Sequence, residues 1–176
     1  MEQPGPAHRR ALFAAAAMLA LAPAAPAQDL DTETRPWKEV EAALPAYPRQ
    51  ENLVRLTGGQ VSGHQFFVDA PSLSIGSDGV VRYTLVIKTA GGATNVAHEG
   101  MRCDQGQLKT YAVGQKNGAW QQARDPQWRR IEYRTINNHH AILHSDYFCE
   151  GRQPLKSTKE MVQRLRRPIP AIQVPE

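Results

Sequence analysis

The sequence predicts a mainly β protein of the α+β class. We expect an antiparallel β-sandwich or a strongly curved sheet of about six to eight short strands, with a short N-terminal helix and a C-terminal helix. Apolar and polar residues alternate between Leu53 and Cys149, and turn residues separate the alternating segments. A helix-capping pattern follows this region, whereas no helical pattern lies between its strands, which excludes a parallel βαβ fold.

The first 27 residues have the pattern of a secretory signal peptide. Arg9-Arg10 precedes an apolar run over residues 11–22, and the Ala-Pro-Ala triplet 25–27 is a cleavage site before Gln28. This run is shorter than the roughly 20 residues that a transmembrane helix needs. We therefore expect a periplasmic product without a transmembrane segment, exported by the secretory or the twin-arginine route.

Residues 28–36 are polar and acidic, and we expect them to form a flexible lead into a single domain over residues 37–167. Two structures fit residues 37–44. The prolines on either side favour a short helix. An extended segment held by Trp37 fits so short a stretch almost equally well.

Strands are expected where the alternation is regular. The clearest strand covers residues 81–87, and we expect one of its faces to be buried and the other to be mostly solvated. Asn117-Gly118 is the strongest hairpin signal, and Ser77-Asp78-Gly79 and Gly91-Gly92 provide further turns. The strand pattern begins at Leu53. Further strands are expected at residues 65–68, 95–103 and 109–113, near Trp120, and at residues 128–134 and 141–149.

A C-terminal helix is predicted by the capping box that Ser157 and Glu160 form. Met161 and Leu165 give this helix an apolar edge, and a proline ends it. The proline-rich tail 168–176 is expected to be extended or disordered.

Cys103 and Cys149 are the two cysteines of the chain, and we expect them to form a structural disulfide. An oxidising compartment favours this pairing. A zinc site would need further ligands at suitable spacing, and a catalytic thiol would have to remain unpaired. A bridge across 46 residues contributes about 4 kcal/mol in the chain-entropy model.

Composition and motifs point to no particular chemistry. The net charge of +4 is spread along the chain, so it does not imply nucleic-acid binding. The sequence contains no GxSxG, SxxK or HExxH motif and no glycine-rich phosphate loop. We therefore predict no catalytic residue and no cofactor.

The histidines near residue 140 raise the question of a metal site. In a strand over residues 141–149, His140 and His144 would lie about 13 Å apart, too far for one ion. His144 and Asp146 would share a strand face at about 7 Å and could hold a weak surface site. Solvated side chains on an edge strand are the favoured interpretation, and no metal is predicted.

Glu99 is expected to point toward the core, because it alternates with Met101 and Cys103. A buried carboxylate needs partners or a raised pKa, and such groups are frequent at functional sites. A structural ion pair is the favoured interpretation, and a functional carboxylate is the alternative. A concave site with other polar groups around Glu99 would favour the second.

A basic and aromatic cluster lies between residues 120 and 134. It could bind an anionic polymer or a partner protein. In a strand its residues fall on both faces, so a solvated surface with packed tryptophans is favoured. The cluster comprises Trp120, Arg124, Trp128, Arg129, Arg130, Tyr133 and Arg134.

Three segments carry a specific combination of motifs: 80–86 (VVRYTLV), 98–103 (HEGMRC) with 111–114 (YAVG) after it, and 146–149 (DYFC). In this combination the chain resembles the CNP-one-like family of exported bacterial proteins, over most of its expected domain. The resemblance implies export and supplies no activity and no catalytic residues. Some members look lipid-anchored, whereas this sequence has no cysteine at the cleavage site.

The candidate functional residues are Glu99, Arg102, Trp120 and Trp128.

Together these observations predict an exported periplasmic protein that acts as a non-catalytic binding or envelope-associated module. Its expected partner is an envelope protein or an anionic envelope polymer. The alternative is an envelope hydrolase or metal-dependent enzyme that uses Glu99 or the face shared by His144 and Asp146.

Export gives the first testable prediction. N-terminal sequencing of the protein recovered from the cell envelope should begin at or within a few residues of Gln28, because signal peptidase cleaves after small residues. A product that retains Met1 and stays in the cytoplasm would contradict the prediction.

Overall fold

The computed structural model describes Met1 and residues 36–57, 63–133 and 138–167. The chain divides into two units, Met1–Arg35 and Pro36–Glu176, and every element below belongs to the second. Apart from Met1 and Pro36, the expected signal peptide and lead lie outside the described residues. The expected proline-rich tail also lies outside them.

The predicted mainly β fold is confirmed. Of the two forms considered, the structure has an open antiparallel sheet in the order β1-β2-β3-β4-β5-β6, with β7 also paired to β5. A short ladder joins β8 to β9, and the larger sheet packs against helices instead of a second sheet of similar size. The strands are β1 (Leu53–Arg55), β2 (Gln65–Ile75), β3 (Val80–Lys88), β4 (Thr94–Arg102), β5 (Gln107–Gly114), β6 (Trp120–Gln122), β7 (Arg129–Arg130), β8 (Cys149–Glu150) and β9 (Gln153–Pro154). The helices are a 3₁₀ turn (Gln50–Asn52), α1 (His139–Ile142), a π-helix (Leu143–Phe148) and α2 (Thr158–Arg166).

Three hairpins of the same geometry connect β2 to β3, β3 to β4 and β5 to β6. Gly79, Gly92 and Gly118 adopt φ values of 76°, 83° and 80°, which residues other than glycine rarely adopt. In each turn the glycine N–H donates to the carbonyl three residues earlier. The three predicted turns therefore lie where the sequence analysis placed them, and they set the register of the strand ends that they join.

The apolar core lies between one face of the sheet and the helices. Tyr83 and Met101 on the sheet are completely buried, as are Leu143 and Phe148 on the helical side. The predicted disulfide is present at the edge of this core, where it joins the end of β4 to the start of β8. Its Cα atoms lie 5.6 Å apart, within the usual range for a disulfide.

The opposite face of the sheet, which we expected to be mostly solvated, is also buried. Arg82, Thr84 and Val86 are at most 5% exposed. Residues 36–49 cover this face in an extended conformation, and we call them the N-terminal strap. The helix considered for residues 37–44 is therefore not formed, and the extended alternative is correct.

Tertiary hydrogen bonds explain why the strap stays extended. Arg82 donates to the Val40 carbonyl at 2.6 Å, while the Val40 N–H donates to the Asp78 carboxylate at 2.8 Å. Trp37 Nε1 donates to the Asp78 carbonyl at 2.9 Å. A helix would direct these backbone groups into its own hydrogen bonds, so the sheet competes successfully with the local preference.

The prediction of a strand at residues 141–149 is wrong, because residues 139–148 are helical. Leu143, Tyr147 and Phe148 are buried, and spacings of four and five residues bring side chains to one face of a π-helix. The strand expected at 128–134 is reduced to the two residues of β7, and Arg134 lies outside the described residues.

The C-terminal helix α2 begins as predicted. The Glu160 N–H donates to Ser157 Oγ at 3.2 Å, and Met161 and Leu165 are buried against the core. None of the helices in the described part of the chain is long and apolar enough to span a bilayer.

The disulfide gives a stability prediction. Cys103→Ser should lower the free energy of unfolding by about 2–5 kcal/mol, because the unfolded chain is no longer constrained. Denaturant titration would measure the loss, and Cys103→Ser/Cys149→Ser should show a similar loss without intermolecular crosslinks. Thiol titration of the denatured native protein should find free thiols only after reduction. Free thiols before reduction would contradict the bridge.

Candidate functional site

Glu99 lies in the middle of the sheet, where strand pairing fixes its position. In β4 it pairs with Tyr83 of β3 and Thr110 of β5. Its side chain lies on the helix-covered face with Met101, and the residue is only 4% exposed. A carboxylate at this depth requires compensation from a neighbouring cation or hydrogen-bond donor.

His140 of α1 supplies that compensation. Its Nε2 lies 2.9 Å from Glu99 Oε2. Burial alone would raise the pKa of Glu99, but the charge and hydrogen bond of His140, together with smaller contributions from Tyr83 and His139, outweigh burial and lower it. Burial would lower the pKa of His140, but Glu99 outweighs this effect and raises it above 6.5. The two side chains therefore stabilise one another as an ion pair.

The groups around this pair are held in a neutral state. Burial and the Glu99 charge raise the pKa of Tyr83 well above its ordinary value, so its hydroxyl stays protonated. His139 stacks on Phe66 with ring centroids 4.4 Å apart. Burial and the neighbouring His140 charge lower the pKa of His139 to about 4, so at neutral pH His139 is uncharged.

A cleft of about 350 Å³ opens beside the Glu99–His140 pair. We call it the Glu99 cleft. Arg129 pairs with Leu108 in the sheet, so β7 brings its arginines to the edge nearest the pair. The cleft is lined by Glu99, Leu108, Thr110, Arg129, Arg130, Glu132 and His140.

Three charged side chains of this cleft are exposed and unpaired. Arg129, Arg130 and Glu132 form no ion pair with any residue in the described ranges. Arg129 also borders a neighbouring cleft that contains the exposed Arg124. The arginines of the predicted basic cluster that can be described thus lie at one edge of the sheet.

The other candidate residues, Arg102, Trp120 and Trp128, contact the strap. The Arg102 guanidinium lies 3.8 Å from the centre of the Trp37 ring and also pairs with Asp104 at 2.8 Å. Trp120 Nε1 donates to the Pro45 carbonyl at 2.9 Å. These contacts hold the strap on the sheet.

Glu39 of the strap organises the same contact and was missed by the sequence analysis. Its carboxylate accepts hydrogen bonds from Lys109 at 2.9 Å, Tyr111 at 2.8 Å and Trp128 at 3.1 Å. Burial would raise the pKa of Glu39, but these donors outweigh it and lower that pKa. No local pattern marks Glu39, because its partners are about 70 to 90 residues away.

The expected strand face with His144 and Asp146 does not exist, because both residues lie on the π-helix. His144 Nε2 donates to the Cys103 carbonyl at 3.3 Å, because a carbonyl oxygen can only accept, and Nδ1 lies 3.1 Å from Tyr133 Oη. Asp146 is exposed and accepts from Ser145. Among the described residues no group of three His, Cys, Asp or Glu side chains is arranged to hold a metal.

The helix also changes the argument about His140. The separation of about 13 Å between His140 and His144 assumed a strand and does not apply. The two histidines instead bind separate partners, Glu99 and the Cys103 carbonyl. The spacing of Leu143 and Tyr147 is the sequence signal that could have indicated a helix and thus the pairing of His140 with Glu99.

The electrostatics of the Glu99 cleft favour anions. With His140 protonated, three cationic groups, Arg129, Arg130 and His140, face two carboxylates, Glu99 and Glu132. Because Glu99 is already compensated by His140, the two exposed arginines exceed the remaining carboxylate by one positive charge. Exposed guanidinium groups bind carboxylate or phosphate oxygens through paired hydrogen bonds.

Comparisons with known proteins give one family. The model of the CNP1-like family matches residues 32–166. The chain is also similar to "Cryptic neisserial protein 1" of Neisseria gonorrhoeae (strain ATCC 700825 / FA 1090), with 29% identity over 153 residues, 77% of this chain and 74% of that protein. No solved structure matches the chain.

The buried ion pair gives a pH-dependent stability prediction. Glu99→Gln should lower the free energy of unfolding by about 3–5 kcal/mol at pH 5.5, because a buried pair loses one partner. The contribution of Glu99 is present above its ordinary pKa of 4.5 and is lost on acidification. The contribution of His140 to stability is complete below pH 6.5 and is lost as the pH rises through its raised pKa.

The difference in the free energy of unfolding between the wild type and Glu99→Gln, measured by urea titration, should therefore be larger at pH 5.5 than at pH 9. Glu132→Gln is the matched control, since its carboxylate lines the same cleft but is exposed; it should change stability by less than about 0.5 kcal/mol. Equal losses for Glu99→Gln at both pH values would contradict an ionised pair.

Proposed function

The chain belongs to the CNP1-like family, and from this premise we propose that it is an exported periplasmic protein that binds an anionic envelope polymer without catalysis. The proposed binding surface is the Glu99 cleft with its exposed arginines. The signal-peptide pattern supports export, and a disulfide is the pairing that an oxidising compartment favours.

One observation carries the choice of ligand. Arg129 and Arg130 line the same cleft, are both exposed, and have no acidic partner in the described part of the chain. On the outer face, Arg82, Arg102 and Lys109 are paired with carboxylates, and Lys88 Nζ donates to the Gln50 side chain. The free positive charge of the cleft is thus available to an external anion.

The ligand is proposed to be a polymer because exposed arginines continue beyond one cleft. Arg129 borders both the Glu99 cleft and a neighbouring cleft, which is lined by Arg124 and also by Asp125. Repeated anionic groups along a chain could contact these arginines together, and several weak charge contacts add to a useful affinity.

The alternative function is that of an envelope hydrolase that uses Glu99. The observation that favours it is the position of Glu99 at a cleft with other polar groups, where its carboxylate orients His140 at 2.9 Å. A carboxylate that orients an imidazole is one arrangement for general-base catalysis.

Binding to purified envelope polymers tests the proposed function. The mature protein should cosediment with peptidoglycan sacculi or bind lipopolysaccharide, and the affinity should fall as salt is raised, because the contacts are electrostatic. Arg129→Gln/Arg130→Gln should weaken binding at least tenfold. Lys116→Gln/Arg152→Gln removes the same charge at exposed positions outside the cleft and should leave binding unchanged.

Two results would contradict the proposal. The first is that the protein binds neither polymer. The second is that Arg129→Gln/Arg130→Gln binds as tightly as the control Lys116→Gln/Arg152→Gln. Time-dependent release of soluble fragments from sacculi, lost in Glu99→Gln, would favour the hydrolase instead.

A further inference from the structure

Resting on the proposed function, we infer that the Glu99 cleft binds a carboxylate group of the polymer, with Arg129 and Arg130 on its oxygens and His140 as a third donor. This inference goes beyond a general preference for anions, because it names the group recognised and adds His140 to the ligand contacts.

The charge balance of the cleft favours a group with a single negative charge. The Glu99–His140 pair is neutral overall, and the two arginines against Glu132 leave one positive charge. A carboxylate would neutralise that charge. A phosphate monoester carries about −1.5 to −2 at neutral pH and would leave an excess of negative charge beside Glu132.

The donor geometry also fits a carboxylate. A guanidinium presents a planar fork that matches the two oxygens of a carboxylate. Two such side chains, Arg129 and Arg130, line the cleft together with the Thr110 hydroxyl and the apolar Leu108 side chain. The neighbouring apolar atoms reduce competition from water and so strengthen charged hydrogen bonds.

His140 can contact a ligand while it remains bound to Glu99. Its Nε2 is used by the carboxylate, and a protonated imidazole has a second donor at Nδ1. In the described part of the structure Nδ1 makes no hydrogen bond, and 22% of the side chain is exposed. His140 lines the cleft, so this exposed portion is accessible to a bound group.

Proton binding by His140 should therefore be coupled to ligand binding. Glu99 faces His140 from the sheet and Tyr83 interacts with Glu99, His139 precedes His140 in α1, and the cleft adds two arginines and Glu132. Burial lowers the pKa of His140 and Glu99 outweighs that effect. A bound carboxylate would raise the pKa further, so affinity should decrease as pH rises through the pKa of His140.

Chemically modified sacculi test the nature of the recognised group. Peptidoglycan whose free carboxylates have been converted to methylamides should bind the mature protein at least tenfold more weakly than untreated sacculi. The decrease should match that caused by Arg129→Gln/Arg130→Gln on untreated sacculi, and the two changes together should add little.

The pH profile tests the role of His140. Affinity of the wild type for untreated sacculi should be higher at pH 6 than at pH 9. His140→Gln, which keeps a neutral donor near Glu99, should bind more weakly at pH 6 and lose this pH dependence. Circular dichroism checks its fold; if it does not fold, the wild-type pH profile on methylamidated sacculi serves instead and should be flat, because the carboxylate coupled to His140 is then absent.

The outcomes separate this inference from the proposed function. Equal binding to amidated and untreated sacculi, or a wild-type affinity that does not change between pH 6 and pH 9, would overturn the carboxylate site. In that case arginine-dependent binding of lipopolysaccharide would still support an anionic polymer. Failure to bind either polymer would overturn both proposals.

Discussion

The interaction between Glu99 and His140 is the constraint on which the helix-covered side of the molecule depends. A carboxylate in the central region of the sheet would be strongly destabilising without a partner, and α1 brings the required imidazole to 2.9 Å. The disulfide holds the other end of the same helical segment, because Cys149 directly follows the π-helix. Residues 139–149 are thereby attached to the sheet at both ends, and the Glu99 cleft lies beside the first attachment.

The two faces of the sheet differ in how their charged side chains are paired. On the outer face, Arg82, Arg102 and Lys109 pair with Asp78, Asp104 and Glu39. These pairs and the aromatic contacts of Trp37 and Trp128 hold the N-terminal strap in place. At the edge of the helix-covered face, Arg129 and Arg130 remain exposed. Among the described residues these two arginines form no ion pair, and this is the reason for proposing the edge as the ligand surface.

The sequence predicted elements whose signals are local. Alternation located β3 and β4, glycines located the hairpins, and Ser157 and Glu160 located the start of α2. The disulfide was predicted because the sequence contains two cysteines and a signal-peptide pattern. The errors concern segments whose structure depends on distant partners. The strap is extended because its residues bind Asp78 and Arg82, and residues 139–148 are helical with an irregular period that resembles neither a regular α-helix nor a strand. The inward direction of Glu99 followed from alternation, but its partner His140 lies 41 residues away and could not be identified from spacing.

The most direct test of this account is the protonation state of His140, measured by ¹⁵N NMR of the histidine side chains as a function of pH. The account predicts that the pKa of His140 lies above its ordinary value of 6.5 in the wild type. In Glu99→Gln the pKa of His140 should lie below 6.5, because burial then acts alone. His140→Gln assigns the resonance. A wild-type His140 that titrates below 6.5, or a value that does not change in Glu99→Gln, would contradict the buried ion pair as the central interaction.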